Sequence, residues 1–448
     1  MAGRGLSVKE AGMDKPLTDL SRDDIVEFSR KRGEPEWVMR RRLEAYEYLK
    51  SSPREPLIDG LLEKVTYRVF IEGLENPILS VSEAVEAARR LGVRPEEIEI
   101  IYSGFSVDID NVMVKTTLKY LKSRGVVFTS MDDAVKRYPL VKDYAFRGLN
   151  PTLNRKTAYH VMLWSGGPFI YLPRGVRLPQ PLQGVFIIGR EGLGQTEHTL
   201  IVLENGAELH WIEGCTTPIA LRYAVHLGGL EAFVMSGAKL YVTSINNWLG
   251  EVHHMPVKRV IVRGKQAYAE LTSVAFRSTT SNTAPRIDVY GEGSKATIQN
   301  IGLYQGEQRV RGSPLLTLHA PRASGQVLNR TVVKDEAFEE FYGRIRAVKG
   351  AVGAVGYMSC NTLMLGERAR SITVPAVESE EKNAELSHEA SVGRISYNKL
   401  YYMALMGFSE EEATWMVVNG FFNPVVHKLP LDVQVEVRKI VELALLGH

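Results

Sequence analysis

Cysteine is the scarcest residue in this chain of 448 residues, which contains only Cys215 and Cys360. Two cysteines are too few for a disulfide framework or for a structural zinc module, so both classes are excluded. The N-terminal segment has no apolar stretch of signal-peptide length, which predicts a cytoplasmic location. A reducing compartment favours two free thiols over the alternative, a single disulfide between them.

The chain also lacks long apolar runs and an excess of charge. Its longest apolar runs, such as residues 184–189, are far too short to span a bilayer. The formal net charge of +3 disfavours nucleic acid or an anionic membrane as a partner. A composition of 44% hydrophobic and 24% charged residues is typical of a soluble globular protein with one to three domains.

Two families of catalytic motif are missing as well. The sequence has no Walker A motif and no Gly-x-Ser-x-Gly nucleophile elbow. The glycine-rich stretch 350–356 lacks the strand-to-helix context of a dinucleotide site. The sequence therefore contains neither of these two catalytic motifs, nor a dinucleotide-binding site.

The sequence divides into three regions, of which the first, residues 1–150, is predicted to be a mainly helical or α+β unit. Amphipathic patterns predict helices over 23–30, 35–49 and 82–91, and a strand is predicted at 99–102. A further helix over 131–144 leads out of the region.

The second region, residues 151–378, is rich in short β-branched stretches that recur behind similar glycines. These glycines follow one another at intervals of 31, 27, 29 and 32 residues, at Gly206, Gly237, Gly264, Gly293 and Gly325. A repeat of turn, glycine and strand at this spacing is typical of stacked coils, each needing a tight turn. The pattern predicts a β-helix, or solenoid, and a β-sandwich is the alternative.

The third region, residues 379–448, returns to helices. Ser409 and Glu412 form a capping box that begins one of them. The last helix carries an apolar stripe of Val433, Val437, Ile440, Val441 and Leu445. This stripe is either a docking face for another subunit or a surface that packs on its own domain, and the pattern does not decide between them.

The strongest candidate site is Cys360 together with the adjacent pair His388-Glu389. Thiolate, imidazole and carboxylate ligands together suit iron or zinc, and the soft thiolate favours iron–sulfur chemistry. Arg368 or Arg370 would lower the pKa of the thiol if either folds close to it. Taken singly, a free cysteine is more often a small buried hydrophobe, and a histidine is more often a hydrogen-bonded structural residue.

The remaining histidines give weaker signals. His253 and His254 are adjacent, so on a strand they point to opposite faces and cannot bind one metal together. We predict that this pair lies on the surface. His210, His226 and His319 have no partner that the sequence identifies.

A series of motifs in a fixed order carries a family resemblance. These segments are 31–38 (Lys-Arg-Gly-Glu-Pro-Glu-Trp-Val), 164–176, 181–183, 194–201, 212–218 (Ile-Glu-Gly-Cys-Thr-Thr-Pro), 360–366 (Cys-Asn-Thr-Leu-Met-Leu-Gly), 375–378, 388–395, 407–413 and 419–422. Through them the chain resembles the iron–sulfur cluster assembly scaffolds of the SUF system, in the SufB/SufD family. It is closer to SufB, because SufD-like chains tend to have His-Gly where this one has His388-Glu389.

The resemblance implies a scaffold that is not itself an enzyme, with ATP hydrolysis carried out by a partner. It also implies a mainly β fold, a central right-handed β-helix flanked by N-terminal and C-terminal helical regions. It implies a transient iron–sulfur cluster, for which the 4Fe–4S type is one candidate, held with its iron by Cys360, His388 and Glu389. Cys215, next to Glu213, would accept sulfur from a donor and pass it along the β-helix. The C-terminal helices would dock a SufC-type ABC ATPase, and the end of the β-helix would pair with a SufD-like paralogue or a second copy.

Two departures from the family pattern qualify this assignment. Ser387 stands where many SufB sequences have glutamate, so the site has one carboxylate fewer. Around 186–189 apolar residues and glycine replace the polar residues usual in the inner channel. A SufD-like structural partner and a β-helix carbohydrate-active enzyme are the alternatives, and Cys360 with Glu389 argues against both. Cluster type, flavin use, the recipient apoproteins and the choice between homodimer and heterodimer stay open.

Overall fold

The computed structural model of the chain describes residues 10–13, 15–70, 104–109, 112–115, 119–217, 219–429 and 431–446. The predicted helix at 82–91 and the predicted strand at 99–102 lie outside these residues. No helix in the described part of the chain has both the length and the apolarity needed to cross a membrane.

The N-terminal unit is built mainly from short helices. They are a 3-10 turn (Leu17–Asp19), α1 (Arg22–Lys31), α2 (Glu36–Ser51), α3 (Pro56–Leu62), α4 (Lys119–Ser123), α5 (Met131–Arg137), α6 (Val141–Tyr144) and α7 (Arg155–Leu163). Two strands, β1 (Glu10–Met13) and β2 (Tyr67–Phe70), pair antiparallel beside them. The helices predicted at 23–30 and 35–49 are thus present as α1 and α2. The predicted helix at 131–144 is divided into α5 and α6, with Pro139 between them.

The centre of the molecule is a parallel β-helix of about eight turns, which confirms the predicted fold class. Its sheet 1 contains β3 (Gly104–Ile109), β4 (Val112–Lys115), β7 (Leu182–Ile187), β10 (Glu208–Thr216), β13 (Lys239–Asn247), β16 (Tyr268–Arg277), β19 (Lys295–Tyr304), β22 (Ser324–Lys334), β25 (Val355–Leu365) and β28 (Glu385–Arg394). The strand β28 lies beyond residue 378, where the sequence predicted the β-helix to end.

Two further sheets complete each coil. Sheet 2 contains β8 (Gly194–Gln195), β11 (Leu221–His226), β14 (Gly250–His254), β17 (Thr280–Thr283), β20 (Arg309–Gly312), β23 (Phe338–Phe341) and β26 (Arg370–Thr373). Sheet 3 contains β5 (Val127–Ser130), β6 (Pro168–Leu172), β9 (His198–Leu203), β12 (Gly229–Val234), β15 (Val257–Val262), β18 (Arg286–Val289), β21 (Leu315–Leu318), β24 (Arg344–Ala347) and β27 (Ala376–Ser379). One coil therefore uses one strand from each sheet. From β6 to β25, each strand pairs in parallel with the strand three places later in the chain.

The turn between sheet 3 and the next strand of sheet 1 adopts a left-handed conformation in successive coils. Its residue of positive φ is Gly206, Gly237, Gln266, Gly293, Arg322 and Gly353 in turn. Glycine takes this conformation without strain, which explains the spacing seen in the sequence. In two coils the residue of positive φ is not the glycine that marks the repeat in the sequence. There Gln266 and Arg322 adopt φ values of 53° and 54°, close to Gly264 and Gly325.

Inward-facing side chains of the three sheets form one continuous core. It is mostly aliphatic, with Trp211, Trp248 and Phe341 among the larger members, and it includes both cysteines. The N-terminal helices pack on the outer faces of sheets 2 and 3 over the first coils, where Val225, Leu227 and Phe233 join their core. The first coils are consequently covered on the outside as well as filled on the inside.

Three C-terminal helices follow β28. They are α8 (Tyr397–Leu405), α9 (Glu410–Val426), which begins with the predicted capping box, and α10 (Leu431–Leu446). The apolar stripe of α10 packs on its own chain: Val433, Val437 and Val441 are buried against α9 and the outer face of sheet 1. The interpretation of this stripe as a docking face is therefore wrong. Apolar side chains are exposed on α8, at Tyr397, Tyr401, Tyr402 and Leu405, and on the other side of α10, at Leu431, Val435 and Leu443.

Candidate functional site

Cys360 lies inside the β-helix, on β25, the last strand but one of sheet 1. Its side chain is fully buried and belongs to the interior core. In the strand register it stands opposite Asn329 of β22 on one side and Ala390 of β28 on the other. The thiol is therefore one strand away from the edge of the sheet.

The surroundings of Cys360 keep it protonated. Burial and the nearby carboxylates of Glu339 and Glu389 raise the pKa of its thiol to about 12. Neither arginine that the sequence suggested acts on it: Arg368 forms an ion pair with Glu336 at the surface, with an N–O distance of 2.8 Å, and Arg370 is exposed on β26. A metal that binds Cys360 must displace the thiol proton.

His388 and Glu389 lie on β28, but their side chains project from opposite faces of the sheet. His388 is opposite Met358 and on the same face as Cys360, one diagonal step away. Glu389 is on the outer face, where its Oε1 accepts a hydrogen bond of 2.8 Å from the Ser359 hydroxyl. Bonds from Tyr357 and Ser359, aided by the charge of Arg330, lower the pKa of Glu389.

The structure thus brings two of the three predicted ligands to one face. Ser387 occupies the outer face beside Glu389, at the position opposite Tyr357. Among the described residues, no group of three or more His, Cys, Asp and Glu side chains is arranged to hold a metal ion. The β28 side chains are exposed at the sheet edge, so this face is open to donors from outside the chain.

Cys215 and Glu213 lie near the other end of the β-helix, on β10, and both face inward. Both cysteines are free thiols, so the alternative of a disulfide is not realised. Glu213 forms a buried ion pair with Lys258 and accepts a hydrogen bond of 2.6 Å from the Ser244 hydroxyl. Burial, with the charges of Glu213 and Glu197, raises the pKa of Cys215 well above its usual value.

A row of polar side chains connects the two cysteine-bearing coils through the interior. The row, one residue from each successive strand of sheet 1, is Glu213, Ser244, Ser273, Asn300, Asn329 and Cys360. We call it the interior row. Parallel strands lie about 4.8 Å apart, so its five steps span roughly 24 Å.

A narrow cavity follows the middle of the interior row. Its volume is about 60 Å³, and it is lined by Ser244, Ser273 and Asn300 from sheet 1 and by His254 from sheet 2. A space of this size holds a few water-sized groups. Lys258 lines the cavity near Glu213, and Glu339 lines it near Asn329. The cavity therefore has an ionisable group toward each end.

Glu339 is a site residue that the sequence did not reveal. It is 2% exposed and is held by neutral donors, the side chains of Asn329, Thr331, Thr362 and Ser371. Burial raises its pKa. Asn329 is the register partner of Cys360, so this carboxyl lies beside the candidate thiol. In residues 338–341, Phe-Glu-Glu-Phe, one phenylalanine and one glutamate point to each face of the strand. The alternation of polar and apolar residues therefore could not show which glutamate faces inward.

Comparison with known proteins identifies the family. Residues 186–421 match the model of the SUF system FeS cluster assembly SufBD core domain. The chain belongs to the SufBD family. A SufBD-family protein of Pyrococcus horikoshii is 32% identical over 433 residues, covering 95% of this chain and 96% of the relative. The iron–sulfur cluster assembly protein SufB of Bacillus subtilis is 30% identical, covering 99% and 97%.

The family match agrees with the resemblance drawn from the motifs, and the matches to individual relatives extend over nearly the whole chain. A Staphylococcus saprophyticus member of the SufBD family is also 30% identical, across 96% of this chain. The matched core begins at Phe186, on β7, and ends in α9 at Phe421. In this SufBD protein, Cys215, the cavity, Cys360 and β28 therefore all lie within the matched core.

The prediction that His253 and His254 lie on the surface is wrong, since both are buried. They do point to opposite faces, as the alternation required. His254 faces the cavity, whereas His253 faces outward, where Tyr223 of β11 packs against it. The same Tyr223 bonds to the Leu61 carbonyl of the N-terminal unit. The local sequence could not show that the N-terminal unit covers sheet 2.

Proposed function

We propose that this SufBD protein is a cytoplasmic scaffold on which iron–sulfur clusters are assembled before transfer to apoproteins. One observation carries the proposal: Cys360 and His388 share a face on the last two strands of sheet 1, at its exposed edge. A thiolate gives the cluster an anchor, while imidazole ligation in place of a second thiolate holds it less tightly. That combination suits a protein that must release its product.

Each predicted site residue has a role in this proposal. Cys360 is the anchor, His388 is the second ligand, and Glu389 receives ferrous iron or the proton that a thiol releases on binding metal. Cys215 accepts sulfur from a donor, with Glu213 beside it. The interior row offers a polar path between the two cysteines. The cluster, of 4Fe–4S or another type, is cargo and not a resident cofactor.

The experiment is reconstitution of the purified chain without oxygen, using ferrous iron and sulfide. We expect the visible absorption of an iron–sulfur cluster, together with bound iron and acid-labile sulfide in matching amounts. The reference sample receives zinc in place of iron and should develop no visible band. A chain that stays colourless and binds no iron, alone and with its partner subunits, would contradict the scaffold assignment.

The edge of the β-helix is the surface on which we propose pairing. The strand β28 is the outermost strand of sheet 1, and β26 and β27 end the other two sheets. Apolar side chains are exposed around them, at Ile372, Val374, Val377 and Val392. A second copy or a SufD-like paralogue that docks here would cover these groups and add donors near His388. Cys360 and Glu389 distinguish this chain from a purely structural SufD-like subunit.

The C-terminal helices carry the second partner surface, for a SufC-type ABC ATPase. No side chain of α8 is buried, and Tyr397, Tyr401 and Leu405 lie on one face of it because they are four residues apart. These three side chains are 77%, 55% and 68% exposed. An exposed apolar helix face of this kind is typical of an interaction site. ATP hydrolysis belongs to that partner.

This surface gives a direct test by co-purification. Replacing Tyr401 and Leu405 with serine should reduce recovery of the SufC-type ATPase at least tenfold, since it removes the centre of the exposed face. Leu57, which is 68% exposed on the N-terminal unit, supplies the matched control in Leu57→Ser. Undiminished recovery with the α8 variant would move the docking site elsewhere. Deleting α10 is a poorer test, because α10 forms part of the core of its own chain.

A further inference from the structure

Two buried histidines and a glutamate join the N-terminal unit to the outer face of sheet 3. His160 is on α7 and His198 is on β9, with 2.9 Å between Nε2 of the first and Nδ1 of the second. His160 Nδ1 also lies 2.9 Å from the Leu227 carbonyl oxygen, and His198 Nε2 lies 3.1 Å from Oε1 of Glu231. The three ionisable side chains are 0% exposed. We call His160, His198 and Glu231 the histidine bridge.

The partners at the two ends of the histidine bridge fix its number of protons. The Leu227 carbonyl can only accept a hydrogen bond, so His160 Nδ1 must carry a proton. The Glu231 carboxylate accepts bonds from three backbone N–H groups, those of Phe146, Gly148 and Leu149. These donors stabilise its negative charge, so His198 Nε2 must also carry a proton and donate it. The contact between the two rings needs a third proton, since two bare nitrogens 2.9 Å apart would repel each other.

Three N–H protons on two rings are one more than two neutral imidazoles carry. One of the rings is therefore an imidazolium. Burial lowers the pKa of His160 well below its usual value, and the charges of His198, Arg42 and His226 act in the same direction. His160 is thus the neutral ring, and His198 is the charged one, with protons on both nitrogens. It donates to His160 on one side and to the Glu231 carboxylate on the other.

The surroundings of the histidine bridge suit a buried cation. The Phe146 and Trp164 rings have their centroids 4.9 Å and 6.0 Å from that of His198, and aromatic rings attract cations. A Cβ atom at Gly229 would lie 2.1 Å from Nε2 of His160, so glycine is needed for this ring to come so close. The site thus has room for both rings and favours a positive charge on His198.

Two arginines near the histidine bridge each have a counter-charge of their own. Arg42 of α2, which packs over the Trp164 ring, forms an ion pair with Glu34. Arg259 of β15, which donates to a carbonyl of the 146–149 segment, forms an ion pair with Asp288. The carboxylate of the bridge is therefore left to balance the charge of its own imidazolium.

A second histidine pair shows the contrasting case. His226 donates from Nε2 to Oε1 of Glu197, at 2.8 Å, and its Nδ1 lies 2.9 Å from Nδ1 of His254. His254 lines the cavity, and its Nε2 has no hydrogen-bond partner among the described residues. His254 can therefore donate from Nδ1 and keep Nε2 bare, so two neutral rings satisfy this pair. Burial lowers the pKa of His254 well below its usual value, which agrees with a neutral ring.

We propose that His198 is a buried imidazolium that holds the N-terminal unit on the outer face of sheet 3, so that docking of this unit takes up one proton. The histidine bridge connects α7 and the 146–149 segment, which belong to the N-terminal unit, to β9 and β12. In an undocked or unfolded chain the same side chain is an ordinary histidine, mostly neutral at pH 8. The proton is therefore a ligand of the docked state, independent of the proposed cluster chemistry.

The pH dependence follows from this difference between the two states. Below about pH 6.5 the histidine is protonated in both, so the contribution of the bridge to stability is fully present. Above that pH only the docked state keeps the proton, and stability falls as the pH rises. One retained proton changes the unfolding equilibrium constant about tenfold per pH unit, until the docked state loses the proton as well.

Nitrogen NMR of the wild-type protein with its ten histidines labelled tests the charge directly. At pH 8.5 one ring, that of His198, should have protons on both nitrogens, while His226 and His254 have one proton each. The doubly protonated signal should be absent from His198→Gln. A spectrum in which every ring has a bare nitrogen at this pH overturns the proposal, and this result needs no variant to fold. Persistence of the signal in His198→Gln overturns it equally.

Two substitutions separate the charge of the bridge from its shape. Glu231→Gln keeps the size of the side chain but removes the counter-charge, so the doubly protonated signal should be lost at pH 8.5. His160→Gln should keep the signal, because a glutamine amide can donate to Leu227 and accept from His198 as the imidazole does. Survival of the signal in Glu231→Gln overturns the ion pair on which the proposal depends.

Urea unfolding of the full-length protein at pH 6, 7.5 and 9 measures the proton uptake. His198→Gln is the reference, because its neutral amide group can donate to both neighbours of the imidazolium. Between pH 7.5 and 9 the unfolding equilibrium constant of wild type should rise about tenfold per pH unit relative to this variant. The control His253→Gln alters a histidine on the outer face of sheet 2 and should keep the wild-type profile. Parallel profiles for wild type and His198→Gln mean that no proton is taken up, which overturns the proposal.

Discussion

Replacing Glu34 with glutamine is expected to lower the free energy of unfolding by about 3–5 kcal/mol, the usual consequence of removing one partner from a buried ion pair. Glu34 bridges Arg32 and Arg42, with N–O distances of 2.9 Å and 2.6 Å, and its side chain is 2% exposed. Arg42 also donates to the carbonyls of Met162 and Trp164, which tie α2 to the end of α7. Without the carboxylate, two buried guanidinium groups lose their counter-charge.

The same residue gives stability a characteristic pH dependence. The guanidinium groups of Arg42 and Arg32, with the hydrogen bonds they donate, outweigh burial and lower the pKa of Glu34 to about 2 from 4.5. Because the folded pKa is lower than the unfolded one, its contribution is fully present above pH 4.5. It is lost as the pH falls through about 2. The shift corresponds to about 3 kcal/mol.

Urea unfolding at several pH values between 7 and 2.5, on wild type and Glu34→Gln, checks both statements. The stability difference between the two proteins should be largest above pH 5 and shrink steadily in acid. Glu44→Gln is the control, because Glu44 pairs with Arg41 on the partly exposed side of α2, and such pairs contribute at most about 1 kcal/mol. A Glu34→Gln protein as stable as Glu44→Gln at neutral pH would contradict the argument.

Replacing Cys360 with alanine is expected to remove most of the cluster that the wild-type protein acquires on anaerobic reconstitution. The thiolate is the strongest of the proposed ligands, and no other cysteine lies in its coil. His388→Ala should retain an intermediate amount, because imidazole is the weaker anchor. The measurements are the visible absorbance, bound iron and sulfide of each variant relative to wild type.

The control for this series is Cys215→Ala, supplied with inorganic sulfide so that sulfur entry is bypassed. It should reach the wild-type cluster content, since Cys215 is not a ligand in the proposal. Cys360→Ala is a small change in a buried position, and its unfolding transition should be compared with that of wild type. A cluster content in Cys360→Ala equal to wild type would show that the anchor is another residue.

The architecture was largely predictable because it repeats. Glycines at intervals of about thirty residues mark one turn of each coil, and six such turns have a residue of positive φ at the same place. A single coil gives a weak signal, but stacked coils repeat it. Gln266 and Arg322, which occupy this position in two coils, show the limit of predicting the turns from glycine alone. Neighbouring coils can impose a left-handed turn on a residue that does not favour it.

The site was predictable only in part, since side chains far apart in sequence meet through the coil register. The sequence indicated Cys360 and His388, and the register places them one strand apart. It did not indicate Glu339, whose inward face depends on the phase of a strand. Nor did it indicate that His226 pairs with His254, because these residues are 28 positions apart and meet only through the stacking of adjacent coils. The apolar stripe on α10 was misinterpreted for another reason. Amphipathicity shows that one face of a helix is buried, but it does not show which surface buries it.

The two ends of the β-helix differ in how their outermost strands pair, and this difference bears on the proposed pairing. In the described residues the first coils terminate in antiparallel strands, β4 against β3 and β5 against β6, whereas the last coil ends in parallel strands with a bare edge. A solenoid with two bare ends could stack head to tail into filaments. In the proposed pairing of two copies, two identical C-terminal edges meet, so the contact uses up the bare edge of each chain. Association through this edge alone would therefore stop at two chains, regardless of protein concentration.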